Sequence, residues 1–144
     1  MKKLLSLTLV LVMILASLCA CSKNSSEGNA TLVIATEEIQ AYDIPLGELK
    51  AGKGLGPAFE YLKEEKGLEY EVDGTMIMSI GGLENDYETG RYIYIFTSVE
   101  SDFDVSEYKK EVDYNGKKLV SAGFGFNDLT VSDGAVFYIG LVAW

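Results

Sequence analysis

Among its 144 residues the chain has no histidine, one tryptophan, two prolines and two cysteines. Without histidine, the commonest general acid and base and the commonest metal ligand are both missing. Both cysteines fall in one short stretch, Cys19-Ala20-Cys21. A zinc site needs about four ligands, and this pair has neither a histidine nor a third cysteine to complete one. A disulfide between residues two apart would close a strained ring. Basic residues are scarce too: twelve Lys and Arg stand against twenty-two Asp and Glu, a net charge of −10. Recognition of nucleic acid rests on a basic surface, so no nucleic-acid partner is expected.

The N-terminal stretch carries more information. Met1-Lys2-Lys3 precedes an uncharged apolar run from Leu4 to Ala20, in which Ser6, Thr8 and Ser17 are the only hydroxyl side chains. A positive start, an apolar middle and a small-residue end form the pattern of a secretory signal. A permanent transmembrane helix competes, because the run approaches the length needed to span a bilayer. The end of the run decides between them: Leu18-Cys19-Ala20-Cys21 resembles the lipobox of bacterial lipoproteins. That resemblance implies that residues 1–20 are removed, that Cys19 leaves with them, and that Cys21 is diacylated and becomes the new N-terminus. Each buried methylene of an acyl chain contributes about 0.8 kcal/mol, so two chains anchor where one is marginal. The expected location is the extracytoplasmic face of the cell membrane, with the membrane as a partner through the lipid.

Removal of residues 1–20 leaves 124 residues, with ten basic side chains against twenty-two acidic ones, a net charge of −12. Ser22 to Ala30 contains no large apolar residue and reads as a flexible tether, so residues 21–30 are the anchor and its leash. The remainder, 31–144, is long enough for one domain with a core of its own. It contains no repeat and no internal boundary.

Thr31 to Thr36 is apolar enough for a buried strand. Tyr42, Ile44 and Leu46 alternate with Asp43 and Pro45, and Pro45, having no amide hydrogen to donate, puts this second strand at a sheet edge. Gly56-Pro57 opens a helix on which Ala58, Phe59 and Leu62 share one side, and Gly67 closes it in the manner of a left-handed cap. Asp73-Gly74 and Asn115-Gly116 are hairpin turns. In Arg91 to Thr97, Tyr92, Tyr94 and Phe96 share one face, and Ile93, Ile95 and Thr97 the other. The closing run to Trp144 is apolar on both faces, which belongs in the middle of a sheet. The expected class is α+β: a β-grasp-like mixed sheet with one packed helix, first and last strands parallel at its centre.

Several of these stretches together resemble the transcobalamin C-terminal-like domain, a family of bacterial surface modules. They are Tyr42 to Leu46 before the helix, Met78-Ser-Ile-Gly-Gly-Leu83, the aromatic strand, Tyr114-Asn-Gly116 and Leu129-Thr-Val-Ser-Asp-Gly134. The likeness covers most of residues 31–144. Tyr92 and Tyr94 stand where that family usually carries tryptophan, and the only tryptophan here is Trp144. The resemblance implies a β-grasp fold and, at one remove, cobalamin as a ligand captured beside a transporter. In the cobalamin carriers a related domain closes over the vitamin alongside a large helical domain, of which these residues hold no counterpart.

For catalysis, a carboxylate pair is the remaining device, and spacing singles out none among the twenty-two acids. Non-enzymatic binding is therefore expected. Asp102, Asp104 and Glu107 sit within six residues but lack the glycine and spacing of a calcium loop, and read as a solvated acidic loop. Gly52-Lys-Gly-Leu-Gly56 lacks the phosphate-loop spacing and reads as a flexible connection. The better candidates are aromatic: Tyr92, Tyr94 and Phe96, with Phe124 and Phe126 of Gly123-Phe-Gly-Phe126, are expected to form a surface stripe for a flat ligand, a glycan or a partner protein. The bland alternative is that these rings pack under the helix. The function expected is a membrane-anchored binding module; the alternatives are an accessory cofactor-capture protein and a structural or adhesive surface protein.

Overall fold

The β-branched and aromatic runs pair into two sheets, and the single stretch with helical spacing becomes a helix. The computed structural model describes residues 27–143; the expected signal segment, Cys21, the tether to residue 26 and Trp144 lie outside the described residues. In chain order the elements are β1 (Asn29–Ala35), β2 (Ile39–Pro45), α1 (Gly56–Lys66), β3 (Tyr70–Asp73), β4 (Met76–Ile80), β5 (Leu83–Glu84), β6 (Arg91–Thr97), β7 (Glu111–Tyr114), β8 (Lys117–Ser121) and β9 (Val136–Ala143). Single 3-10 turns occupy Leu46–Glu48, Glu100–Asp102 and Phe126–Asp128. Among the described residues, no helix is long and apolar enough to cross a membrane.

Six strands form one sheet in the order β2-β1-β9-β6-β8-β7. β1 and β9 run parallel, Thr31 opposite Val136 and Ile34 opposite Ile139, and the other pairs in that sheet are antiparallel. The chain is therefore α+β, with its first and last strands side by side and β2, which ends at Pro45, at an edge. β3, β4 and β5 form a second, three-stranded antiparallel sheet. β1 begins at Asn29, two residues before the expected domain start. The Asn29 N–H donates to Asp133 Oδ1 at 3.0 Å, and the Gly134 N–H to the Asn29 carbonyl at 2.8 Å.

The core lies between the six-stranded sheet, α1 and the small sheet. Ala30, Leu32 and Ile34 of β1 and Phe137 and Ile139 of β9 pack with Phe59 and Leu62 of α1 and with Ile77 and Ile80 of β4. Val33 and Leu119 are also fully buried yet stand outside that cluster, so the other face of the sheet is covered as well. α1 ends as its glycine requires. Gly67 takes φ +70°, its N–H reaching the carbonyls of Leu62 and Lys63, and the Leu68 N–H bonds the Leu62 carbonyl at 3.2 Å. This satisfies the last-turn acceptors that a helix leaves open.

Tyr70 on β3 ties the small sheet to the helix. Its ring packs 5.3 Å from that of Phe59 and its hydroxyl donates to Glu60 Oε1. Burial first, then the bond to Glu60, push the Tyr70 hydroxyl up to about 12. The folded state therefore holds this proton where the unfolded chain, titrating near 10, releases it. The tyrosine's contribution is present below pH 10 and is lost as pH rises to about 12. Absorbance titration of the tyrosines is expected to show a late phase near pH 12 that vanishes in Tyr70→Phe, and urea midpoints should fall between pH 10 and 12 less steeply in that variant. A wild-type titration complete by pH 11 would refute this.

Candidate functional site

β6 is where the regular sheet breaks. It pairs with β9 along its whole length, from Arg91 to Thr97, but with β8 only at Phe96 and Thr97. The stretch from Tyr92 to Ile95 thus has an open edge. Because antiparallel pairing alternates, and the Ser98 N–H continues the even-numbered series by bonding the Val136 carbonyl at 3.0 Å, the backbone groups of Ile93 and Ile95 point away from β9. Two of these four groups are met locally: the Ile93 N–H donates to Asn85 Oδ1 at 2.7 Å, and the Ile95 carbonyl accepts from the Ala122 N–H at 2.8 Å. The Ile93 carbonyl and the Ile95 N–H remain, an acceptor and a donor with no hydrogen-bond partner among the described residues.

This edge opens onto a slot of about 180 Å³. Met76 and Ile77 of β4 form one wall, Tyr92 and Tyr94 flank the strand edge, and Phe124 lines the slot from the loop after β8. Phe124 is 53% exposed. The ring of Tyr87 meets that of Tyr92 edge-on at 5.8 Å. Burial, helped by the nearby Asp104 carboxylate, pushes the Tyr94 hydroxyl up, so it is uncharged at neutral pH. The slot can offer apolar contact and backbone hydrogen bonds.

The five aromatic residues expected to form one stripe are divided three ways. Tyr92, Tyr94 and Phe124 meet at the slot. Phe96 is only 4% exposed and lies against Tyr94 and Tyr138, at 6.4 and 6.0 Å. Phe126 is a core residue, stacked 5.5 Å from Phe59 under α1, and so is withdrawn as a surface contact. The reason is Gly125, whose missing side chain lets the loop pass close to Thr75: a Cβ there would come within 2.5 Å of the Thr75 Cβ. That approach directs Phe124 outward and Phe126 inward.

Two further expectations are corrected. Asp102 is no solvated carboxylate: it is 3% exposed and accepts from the Thr130 N–H at 2.6 Å and the Thr130 hydroxyl at 3.0 Å. Gly52 to Gly56 is no loose connection, since the Leu55 N–H donates to the Phe126 carbonyl at 2.8 Å. A Cβ on Gly54, at φ +61°, would lie 2.2 Å from that carbonyl oxygen. Among the described residues, no group of three or more His, Cys, Asp or Glu is placed to hold a metal ion. Asn85 and the β4 wall had no sequence signal as site residues, because they reach the slot only through the fold.

No family model matches the sequence, and no curated protein matches it. Among solved structures, the chain is similar to a protein from Ruminococcus gnavus described as a "putative metal binding protein", with a TM-score of 0.50 at 16% identity, over 82% of this chain and 99% of that one. At that identity the likeness is one of fold.

Proposed function

We propose that the chain is an extracytoplasmic binding module of the β-grasp class, anchored to the membrane through diacylated Cys21 and without catalytic activity of its own. The observation that carries the reading is the slot: an exposed Phe124 and two half-buried tyrosines surround a strand edge whose Ile93 carbonyl and Ile95 N–H have no partner among the described residues. Such groups are costly to leave unmatched away from water, and a ligand bearing an amide or hydroxyls matches them. At about 180 Å³ the slot is smaller than the roughly 300–1,000 Å³ of sites for drug-sized molecules. It suits one side chain of a partner protein or one edge of a glycan, and is too small for a whole corrinoid.

Two measurements test the reading. Mass spectrometry of the mature protein should find Cys21 at the N-terminus carrying two acyl chains; an unacylated or differently processed terminus removes the anchor. A binding screen against corrinoids, glycans and cell-wall fragments, repeated with Phe124→Ala, should yield a glycan or peptide ligand whose affinity falls roughly tenfold in the variant, as for loss of one aromatic anchor. A corrinoid hit would move the reading to cofactor capture beside a transporter, and no hit at all to a structural or adhesive role.

A further inference from the structure

The open stretch of β6 is closed at both ends. At one, the Ile93 N–H is held by Asn85 Oδ1 at 2.7 Å; at the other, the Ile95 carbonyl is held by the Ala122 N–H at 2.8 Å. Asn85 is in turn tied to β4, its Nδ2 reaching the carbonyls of Ile77 and Met78 at 3.4 and 3.5 Å and its own N–H the Met78 carbonyl at 3.4 Å. The neighbouring sheet therefore fixes this stop in place.

What the stops leave decides which chain can pair here. An antiparallel partner exchanges both of its bonds with a single residue, so at Ile93 it would need the N–H that Asn85 holds, and at Ile95 the carbonyl that Ala122 holds. Neither residue offers a complete pair. A parallel partner instead divides its two bonds between the residues before and after the one it faces. A residue facing Tyr94 would donate its N–H to the Ile93 carbonyl and accept from the Ile95 N–H, the two groups that have no partner among the described residues. Extended chains share one repeat, so the spacing of donor and acceptor matches. Asn85 and Ala122 both line the slot, and between them there is room for one such residue. Facing residues in a ladder point their side chains to the same side of the sheet, which puts the incoming side chain beside Tyr94. The mouth is apolar: Met76, Tyr87 and Phe124 are 62%, 64% and 53% exposed, and methionine and aromatic side chains are enriched at the centres of protein interfaces.

We propose that the slot binds one extended residue of a partner polypeptide, running parallel to β6 opposite Tyr94, with the partner chain leaving the edge at Asn85 and at Ala122. This rests on the reading of the slot as a binding site, and it selects a peptide over a glycan as the occupant. The same two stops keep the edge from adding a whole strand, which is the hazard of an open sheet edge.

The test is NMR titration of the full chain, ¹⁵N-labelled, with N-acetyl-leucine N′-methylamide, a single residue between two peptide groups. Saturable shifts are expected at Tyr94, Ile95 and Phe124. The Ile95 amide proton should move downfield and exchange more slowly with solvent, because it gains a carbonyl partner. The ester analogue, in which oxygen replaces the leucine N–H, should bind roughly twofold to tenfold more weakly, the effect of losing one hydrogen bond. Equal affinity for the ester, or an Ile95 amide unmoved by the bound diamide, would overturn the parallel pairing. Chitotriose serves as the glycan arm: shifts at the slot with it and none with the diamide would overturn the peptide assignment while leaving the slot a binding site. No shift from either probe would count against both readings.

Discussion

Phe59→Ala should lower the unfolding free energy by about 3–5 kcal/mol, the usual cost of removing a fully buried phenylalanine. Phe59 has no exposed surface and stands between two rings, Tyr70 at 5.3 Å and Phe126 at 5.5 Å. It joins the helix to the small sheet through the first and to the loop after β8 through the second. Truncation removes the side chain's transfer free energy and leaves a cavity that rigid sheets on two sides cannot close. Against a total stability of about 5–15 kcal/mol for a domain of this kind, much of the folded population is at risk. Phe124→Ala, at a residue 53% exposed, should change stability by less than about 0.5 kcal/mol. Urea unfolding of the two variants separates these outcomes. A midpoint for Phe59→Ala within error of Phe124→Ala would mean that the core is not centred on the helix.

That contrast also marks how far the sequence could be read. α1 was legible because all of its signals are local: proline in its first turn, an apolar stripe of Ala58, Phe59 and Leu62, and a glycine stop. The turn at Asn115-Gly116 was legible for the same reason, since both residues take positive φ, +49° and +77°, as the hairpin type demands. β9 was legible as a central strand because it is apolar on both faces. The assignment of β3, β4 and β5 to a separate sheet was not. A short alternating run has the same pattern whichever sheet takes it, and the choice is made by contacts with residues far along the chain.

The candidate site was legible only in its components. Period-2 alternation correctly separates Tyr92, Tyr94 and Phe96 from Ile93 and Ile95, the pair that packs against the core. It does not say that β8 pairs with only the last two residues of β6, and this is what opens the edge. Nor does composition distinguish Phe124 from Phe126, two residues apart in a glycine-flanked pair. The distinction arises where Gly125 meets Thr75, a contact between loops that no local rule anticipates.

The carboxylate of Asp102 is the second place where substitution should be severe. Its side chain accepts two bonds from Thr130 and one from Ser101 at 3.1 Å, while its own carbonyl takes the Gly123 N–H at 2.9 Å. It thereby joins the turn after β6 to the segment that leads into β9, two stretches 28 residues apart. Hydrogen bonds to a charged group are worth about 1.5–3 kcal/mol each, but bonds to one carboxylate are not independent. Thr130 is itself exposed, so water can partly replace what its N–H loses. Asp102→Ala should therefore cost about 2–4 kcal/mol. Asp102→Asn keeps an oxygen for the Thr130 N–H and should cost about half as much. The acidic neighbours provide the control: Glu107→Ala, at an exposed position, should change stability by less than about 0.5 kcal/mol. Urea midpoints of the three variants decide the matter. If Asp102→Ala falls with Glu107→Ala, the carboxylate is a solvated loop residue after all; if it falls well below, the acidic triplet consists of one structural strut and two surface charges.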